Sequence, residues 1–191
     1  MPELLFYPSN TDLPECFSYQ ANDFIRLIFD FDPYLELELY DVNAPFAEEH
    51  WHPVHFVVAE RNALFSYATV MWKTLEHGGE TYICYGIANM LTYPAYRQQG
   101  YGTQIVRAAT DYIRSAPQAD IAILWTSPHN LNFYARHGWE HMPNVTIQIG
   151  DSQHPQVYSD EPAMMLFLSE KGKRGRPAFE AEPIYFAEYT W

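Results

Sequence analysis

The stretch that decides the fold is residues 86–110, which read GIANMLTYPAYRQQGYGTQIVRAAT. An apolar segment ends before Pro94, a polar loop with Gly100 and Gly102 follows, and apolar residues then recur at helical spacing. Glycines let the backbone approach a ligand closely, and the first amides of a helix have no acceptor inside that helix. This strand–loop–helix order predicts a binding site for phosphate groups, to which Arg97 would add a charge-assisted hydrogen-bond donor.

The composition is that of one globular domain with an aromatic core. The chain has 191 residues, 17% of them aromatic, and a formal net charge of −13. Acidic residues are concentrated in residues 1–60, where Arg26 is the single Lys or Arg. Such a surface repels nucleic acids and anionic membranes and attracts a cationic small molecule or a basic peptide, although an acidic solubilising face explains it equally well.

The two cysteines, Cys16 and Cys84, are too few to brace a chain of this length with disulfides, which favours the reducing cytoplasm. The first ten residues lack the basic start and long apolar run of a signal peptide. No apolar stretch approaches the roughly 20 residues that span a bilayer. We therefore predict a soluble cytoplasmic protein with no membrane contact.

The pattern along the chain predicts an α/β protein with helices and strands in alternation. A short strand, Glu3–Tyr7, precedes an amphipathic helix that stops at Pro33, and residues 33–53 are irregular. Strands with short turns follow, forming an antiparallel meander at residues 54–60, 64–72 and 81–91. Beyond the glycine loop and its helix, the predicted elements are strands at residues 121–125, 145–149 and 164–169 and a short helix at residues 130–137. Residues 1–169 are expected to form the domain, and residues 170–191 a tail made of a basic linker and an apolar, acidic end.

A second motif lies downstream, where Phe133-Tyr134 is followed by Gly138-Trp139. With it, the chain resembles the GNAT superfamily of acyl-CoA-dependent N-acyltransferases. Residues 97–102 match the pyrophosphate motif Arg/Gln-x-x-Gly-x-Gly/Ala, and the downstream residues match Tyr-x-x-x-Gly-Phe/Trp. The resemblance implies an α/β (α+β) GNAT fold, a mixed, mostly antiparallel sheet that is flanked by helices and splayed between its central strands near residue 90.

The resemblance also implies how acetyl-CoA, the co-substrate, binds. Backbone groups at the strand end would pair with pantetheine like another strand, and the loop amides would hold the pyrophosphate. Tyr134 would be the general acid for the departing thiolate, since a phenol of pKa about 10 can donate to a thiolate of pKa about 8.5. The predicted cofactor-binding residues are Met90, Leu91, Thr92, Arg97, Gln98, Gln99, Gly100, Tyr101, Gly102 and Thr103.

Within that superfamily the whole chain is most similar to the aminoglycoside 2'-N-acetyltransferases. The similar points are Trp51 before Val54-His55-Phe56, the Gly78-Gly79 turn, residues 134–139 and the C-terminal Trp191. The resemblance implies acetyl transfer to a primary amine of a small cationic acceptor held by carboxylates. The substrate-binding candidates are Glu48, Glu49, Glu188 and Trp191. The alternative for Trp191 is a tail that docks on its own domain or on a second subunit of a homodimer.

No general base is evident on the central strand, because Ala88 stands where a carboxylate would be expected. The candidates on the acceptor side are His50, His52, His55, Glu48 and Glu49. The three histidines could also converge on a metal ion, but ordinary histidines explain them better, and we predict no metal. Two alternatives to small-molecule acetylation stay open: a non-catalytic acyl-CoA-binding or regulatory domain, and acetylation of a protein or peptide amine.

Arg174-Gly175-Arg176-Pro177 resembles the core of an AT-hook, in which an extended Arg-Gly-Arg lies in the minor groove of A·T-rich DNA. A match this short recurs by chance, and the rest of the chain is strongly acidic. An exposed, flexible linker explains the stretch more simply, and nucleic acid is not expected as a partner.

Overall fold

The computed structural model describes residues 1–29, 51–157 and 161–186. Within them lie helices and strands with the following bounds. The strands are β1 (Glu3–Tyr7), β2 (Val54–Glu60), β3 (Ala63–His77), β4 (Glu80–Thr92), β5 (Ile121–Trp125), β6 (Glu140–Met142), β7 (Ile147–Ile149), β8 (Gln156–Val157), β9 (Ala163–Phe167) and β10 (Ile184–Tyr185). The helices are α1 (Glu15–Phe29), α2 (Tyr101–Ser115), α3 (Leu131–Ala135) and α4 (Glu170–Ala181).

Seven strands form the main sheet, in the order β1-β2-β3-β4-β5-β9-β6. β4 and β5 run parallel, whereas β1–β2, β2–β3, β5–β9 and β6–β9 are antiparallel. A second sheet has the order β10-β7-β8. The predicted mixed, mostly antiparallel sheet flanked by helices is confirmed, although the sequence pattern did not indicate β6, β8 or β10.

The ladder between the two central strands is short. β4 pairs with β5 from Cys84 opposite Ile121 to Gly86 opposite Ile123, although β4 itself continues to Thr92. Asn89, further along β4, has a φ of 52°, a value that is uncommon for residues other than glycine. The predicted splay near residue 90 stays a prediction.

The chain divides into two compact units. Unit 1 comprises Met1–Met71 and Ile87–Asp111. Its core packs Phe17, Ala21 and Ile25 of α1 against the sheet, which confirms that this helix is amphipathic. The predicted stop of this helix at Pro33 lies outside the described residues, as does most of the irregular segment 33–53.

Unit 2 comprises Trp72–Gly86 and Tyr112–Trp191. The apolar run predicted as a doubly buried strand is β5, and its residues Ile121 and Ile123 have no exposed surface. They pack with residues of β3, β4, β9, α4 and β10, among them Phe179, and with Phe186, which follows β10.

The C-terminal segment differs from the predicted linker, because Glu170–Ala181 form helix α4. Ser169 caps this helix by accepting a hydrogen bond from the amide of Gly172. Its glycines permit close packing within unit 2: a Cβ atom on Gly172 would lie 2.2 Å from Asp120 O, and one on Gly175 would lie 2.1 Å from the Tyr82 hydroxyl. Glycine and proline made this stretch look like a linker, whereas here the glycines serve tertiary packing.

Basic side chains of α4 form ion pairs with carboxylates of unit 2. Lys171 lies 2.6 Å from the Asp120 carboxylate, and Arg176 lies 2.6 Å from Glu140 and 2.9 Å from Glu180. The resemblance to an AT-hook fails here, because that motif needs an extended Arg-Gly-Arg and this one is helical. Across the described ranges, no helix combines the length and the apolar character of a bilayer-spanning segment.

Candidate functional site

The loop between β4 and α2 presents a run of backbone amides that have no acceptor. The amide of Arg97 donates to Pro94 O (3.3 Å), and that of Gln104 donates to Gly100 O (3.1 Å). The six amides between them, those of residues 98–103, donate to no acceptor in the described part of the chain. Gln98 and Gly100 have φ angles of 64° and 84°. Left-handed residues of this kind turn successive N–H groups toward one side, a geometry that suits an anion at the start of a helix.

Side-chain hydrogen bonds and stacked aromatic rings hold this loop in place. Arg97 Nε donates to Thr92 O (3.1 Å), and Gln99 Nε2 donates to Ala95 O (3.3 Å). The ring of Phe65 stacks on Tyr96, with centroids 3.8 Å apart, and meets Tyr101 edge-on at 5.4 Å. The loop is thus held before any ligand arrives, which reduces the entropy lost on binding.

The backbone N–H and C=O groups at the end of β4 face in two alternating directions. Tyr93 N donates to Phe65 O on β3 (2.9 Å). Because hydrogen-bonding direction alternates along an antiparallel strand, the backbone groups of Thr92 and Met90 face away from β3. Leu91 instead belongs to the core of unit 1, and its carbonyl accepts from Ser66 Oγ (2.7 Å).

Tyr134 lies on α3 in unit 2, where its side chain is buried. Its hydroxyl makes no hydrogen bond with any of the described residues. The hydroxyl of Tyr85, by contrast, accepts from Gln118 Nε2 (2.6 Å). Burial, and secondarily the charge of Glu161, raise the pKa of Tyr134. The phenol is therefore neutral around pH 7 and keeps an O–H that can be donated to a ligand.

The turn after Tyr134 is fixed by backbone and side-chain hydrogen bonds. The amides of His137 and Trp139 donate to Tyr134 O (2.9 and 3.4 Å), and Arg114 Nη2 donates to His137 O (2.8 Å). Gly138 between them has a φ of 87°. The second sequence motif therefore ends the helix and sets the position of Tyr134.

His55 lies inside a buried polar network of unit 1. Its ring has no exposed surface, its Nδ1 lies 2.8 Å from the Tyr67 hydroxyl, and its Nε2 lies 2.9 Å from Asn10 Oδ1. Thr69 Oγ1 donates to the same hydroxyl (2.9 Å). Burial lowers the pKa of His55 to about 4. With both ring nitrogens engaged, His55 can neither take a proton from an acceptor nor bind a metal, so these two candidate roles were wrong.

Several predicted acceptor-side residues cannot be placed. Glu48, Glu49, Glu188 and Trp191 lie outside the described residues, as does His50, and their predicted roles stay predictions. His52 is exposed. Among residues 1–29, 51–157 and 161–186, no three His, Cys, Asp or Glu side chains are arranged to hold a metal ion.

The sequence did not predict a carboxylate near Tyr134. The charge of Glu161 acts on the Tyr134 hydroxyl, although the two residues are far apart in the chain. Glu161 lies just before β9 in a polar, proline-containing loop, and no local pattern marks it. Only a tertiary contact could single it out.

The chain is similar to known acetyltransferases in sequence and in fold. Residues 15–142 match the family model described as an acetyltransferase (GNAT) domain. No curated protein sequence matches the chain. Among solved structures, Escherichia coli YhbS, described as a GNAT family N-acetyltransferase in complex with CoA, is 14% identical over 98% of this chain and 89% of its own, with a TM-score of 0.61.

Two further structures show the same likeness. Escherichia coli ElaA is 15% identical over 86% of this chain and 99% of its own, with a TM-score of 0.59. Arabidopsis thaliana NAA60, in complex with a bisubstrate analogue, is 16% identical over 86% of this chain and 98% of its own, with a TM-score of 0.56. At these identities the likeness establishes the fold.

Proposed function

Because the chain belongs to the GNAT acetyltransferase family, we propose that it transfers the acetyl group of acetyl-CoA to a primary amine of a small cationic acceptor. Acyl-CoA is the donor that GNAT acetyltransferases use. The observation that carries the proposal is the run of unpaired amides at residues 98–103, at the N-terminus of α2. Pyrophosphate is the part of CoA that such a run of amides would bind.

The proposed roles follow the two motifs. The amides of residues 98–103 and the guanidinium of Arg97 hold the pyrophosphate, and the backbone groups of Met90 and Thr92 pair with pantetheine. The acceptor nitrogen attacks the acetyl carbonyl carbon, so that a C–N bond forms and the C–S bond breaks. The acceptor ammonium loses one proton to solvent before the attack. Tyr134 then donates its proton to the sulfur, and the second proton lost by the acceptor nitrogen restores the Tyr134 hydroxyl. The products are an N-acetyl amine and the free thiol of CoA.

The proposal is tested by binding and turnover together. Purified protein should be stabilised against heat by acetyl-CoA, because a ligand that binds only the native state raises the unfolding temperature. Thiol release should then be measured against a panel of aliphatic amines, aminoglycosides and lysine-containing peptides. Turnover with a small amine supports the proposal, and turnover with peptides alone would shift it to a protein acceptor. Binding of acetyl-CoA without turnover would favour a regulatory domain, and lack of binding would overturn the proposal.

A paired substitution at Gln98 locates the cofactor. Gln98 is exposed and has a left-handed backbone, which Asp and Asn both tolerate. Gln98→Asp adds a negative charge beside the proposed pyrophosphate and should raise the Kd for acetyl-CoA about tenfold, since like charges this close repel by about 1 kcal/mol or more. Gln98→Asn, of the same size without the charge, should leave the Kd nearly unchanged. Equal effects of the two variants would contradict a phosphate site at this loop.

The aminoglycoside type of acceptor, a homodimer and the cytoplasmic location remain parts of the proposal. The amine panel covers the first, and sedimentation of the purified protein covers the second. Cys16 and Cys84 are both free thiols, which fits a reducing compartment.

A further inference from the structure

We propose that Glu161 binds the ammonium group of the acceptor beside Tyr134. This inference rests on the proposed function and names a specificity-determining residue for it. The site would accept aliphatic amines, which are cations at neutral pH. Two observations support the inference: the strand register around Glu161 and the electrostatic effect of Glu161 on Tyr134.

The register places the start of β9 at the end of β5. Ala163 pairs with Trp125, and the amide of Thr126 donates to Pro162 O (3.0 Å). Glu161 directly precedes Pro162, so it lies where β5 ends, and it is exposed there.

Two connections bring α3 to the same place. On its N-terminal side, Asn130 Nδ2 donates to Thr126 Oγ1 (3.2 Å), on the residue that bonds Pro162. On its C-terminal side the chain passes through Trp139 into β6, where Met142 pairs with Ala163. The helix that carries Tyr134 is thus tied to the β9 entry from both ends.

The electrostatics agree with this placement. Burial is the larger cause of the raised pKa of Tyr134 and the charge of Glu161 the smaller, and among the described residues no further charge contributes. A carboxylate whose charge acts on a neutral phenol, and which is itself exposed, can receive a cation that approaches the same hydroxyl. An ammonium there would donate a hydrogen bond to one carboxylate oxygen of Glu161 and lie near the proton donor.

The test is a kinetic comparison of Glu161→Gln with Glu182→Gln. Glu182 is an exposed carboxylate of the same unit at the end of α4 and serves as the matched control. The probe is the best aliphatic amine of the panel, with acetyl-CoA as donor. Glu161→Gln should raise the KM for the amine about tenfold, the usual scale for losing a hydrogen bond to a charged group, and leave the KM for acetyl-CoA unchanged. Glu161→Asp should recover part of the loss, and Glu182→Gln should behave as wild type.

The outcomes separate this inference from the proposed function. Wild-type protein without amine turnover would overturn the proposed function itself. If wild type turns over, an unchanged amine KM in Glu161→Gln overturns the inference alone. A loss confined to kcat, or a raised KM for acetyl-CoA, also overturns it, because a structural defect would act on those constants. Thermal stabilisation of the variant by acetyl-CoA checks that it is folded.

Discussion

At the scale of single residues, Tyr134 is the side chain on which the proposed chemistry depends. Tyr134→Phe removes only the hydroxyl, which has no partner among the described residues, so stability should change little. The kcat should fall about a hundredfold, since a positioned general acid contributes on this order, while the affinity for acetyl-CoA stays the same. Steady-state kinetics and calorimetric binding measure the two effects.

A matched control is available in the same unit. The Tyr185 hydroxyl is already engaged, because it donates to Gly150 O, so Tyr185→Phe should retain the kcat of wild type. A large loss of acetyl-CoA affinity in Tyr134→Phe would contradict the assigned role, because the hydroxyl would then be a binding group.

At the scale of elements, α4 shows how packing decides a conformation that local sequence does not favour. Two glycines and Pro177 stand inside it. Glycine is normally unfavourable in a helix, and Gly→Ala at an open position stabilises by about 0.5–1 kcal/mol. Gly175 is different, because a Cβ atom there would overlap the Tyr82 hydroxyl and ring, which are buried in the core of unit 2.

Gly175→Ala should therefore destabilise the protein, by about 1–3 kcal/mol as for other overpacked sites. Urea denaturation measures the change. Lys173→Ala on the same helix is the control. Lys173 is exposed and, within the described residues, its ion pair is with Glu170 alone, so the substitution should cost at most about 0.5 kcal/mol. A stabilised Gly175→Ala variant would show that α4 does not pack on Tyr82.

At the scale of the whole molecule, stability should depend on acid through the buried network of His55. The folded-state pKa of His55 is lowered to about 4 from about 6.5 in the unfolded chain. A histidine whose pKa is lowered by folding makes its full contribution to the free energy of unfolding at pH values above its unfolded-state pKa. This contribution is lost as the pH falls toward 4. Its size is about 3 kcal/mol over that window, because the unfolded chain takes up the proton first.

The unfolding midpoint should be followed from pH 7 to pH 4 in wild type and in two variants. His55→Gln should be less stable at pH 7 and lose less stability on acidification, since the titrating group is gone. His141 is exposed, so His141→Gln should follow the wild-type profile. An identical slope in His55→Gln and wild type would contradict the buried neutral histidine.

The sequence by itself determined the elements that carry the motifs. The glycine loop, the stripe of α2 and the apolar run of β5 were predictable because their patterns are local: spacing, turn residues and helix ends act within a few residues. The helix with Tyr134 was predictable for the same reason, and the motif order indicated the family before any coordinates.

Only the tertiary structure decided the environment of the charged and polar groups. His55 is paired to Asn10, 45 residues away, and this partner turned a candidate base into a core residue. α4 packs as a helix because Asp120 and Tyr82 receive its glycine face, and the charge of Glu161 acts on Tyr134 although the two residues are distant in the chain. Burial and charge depend on neighbours distant in the chain, and local sequence does not contain them.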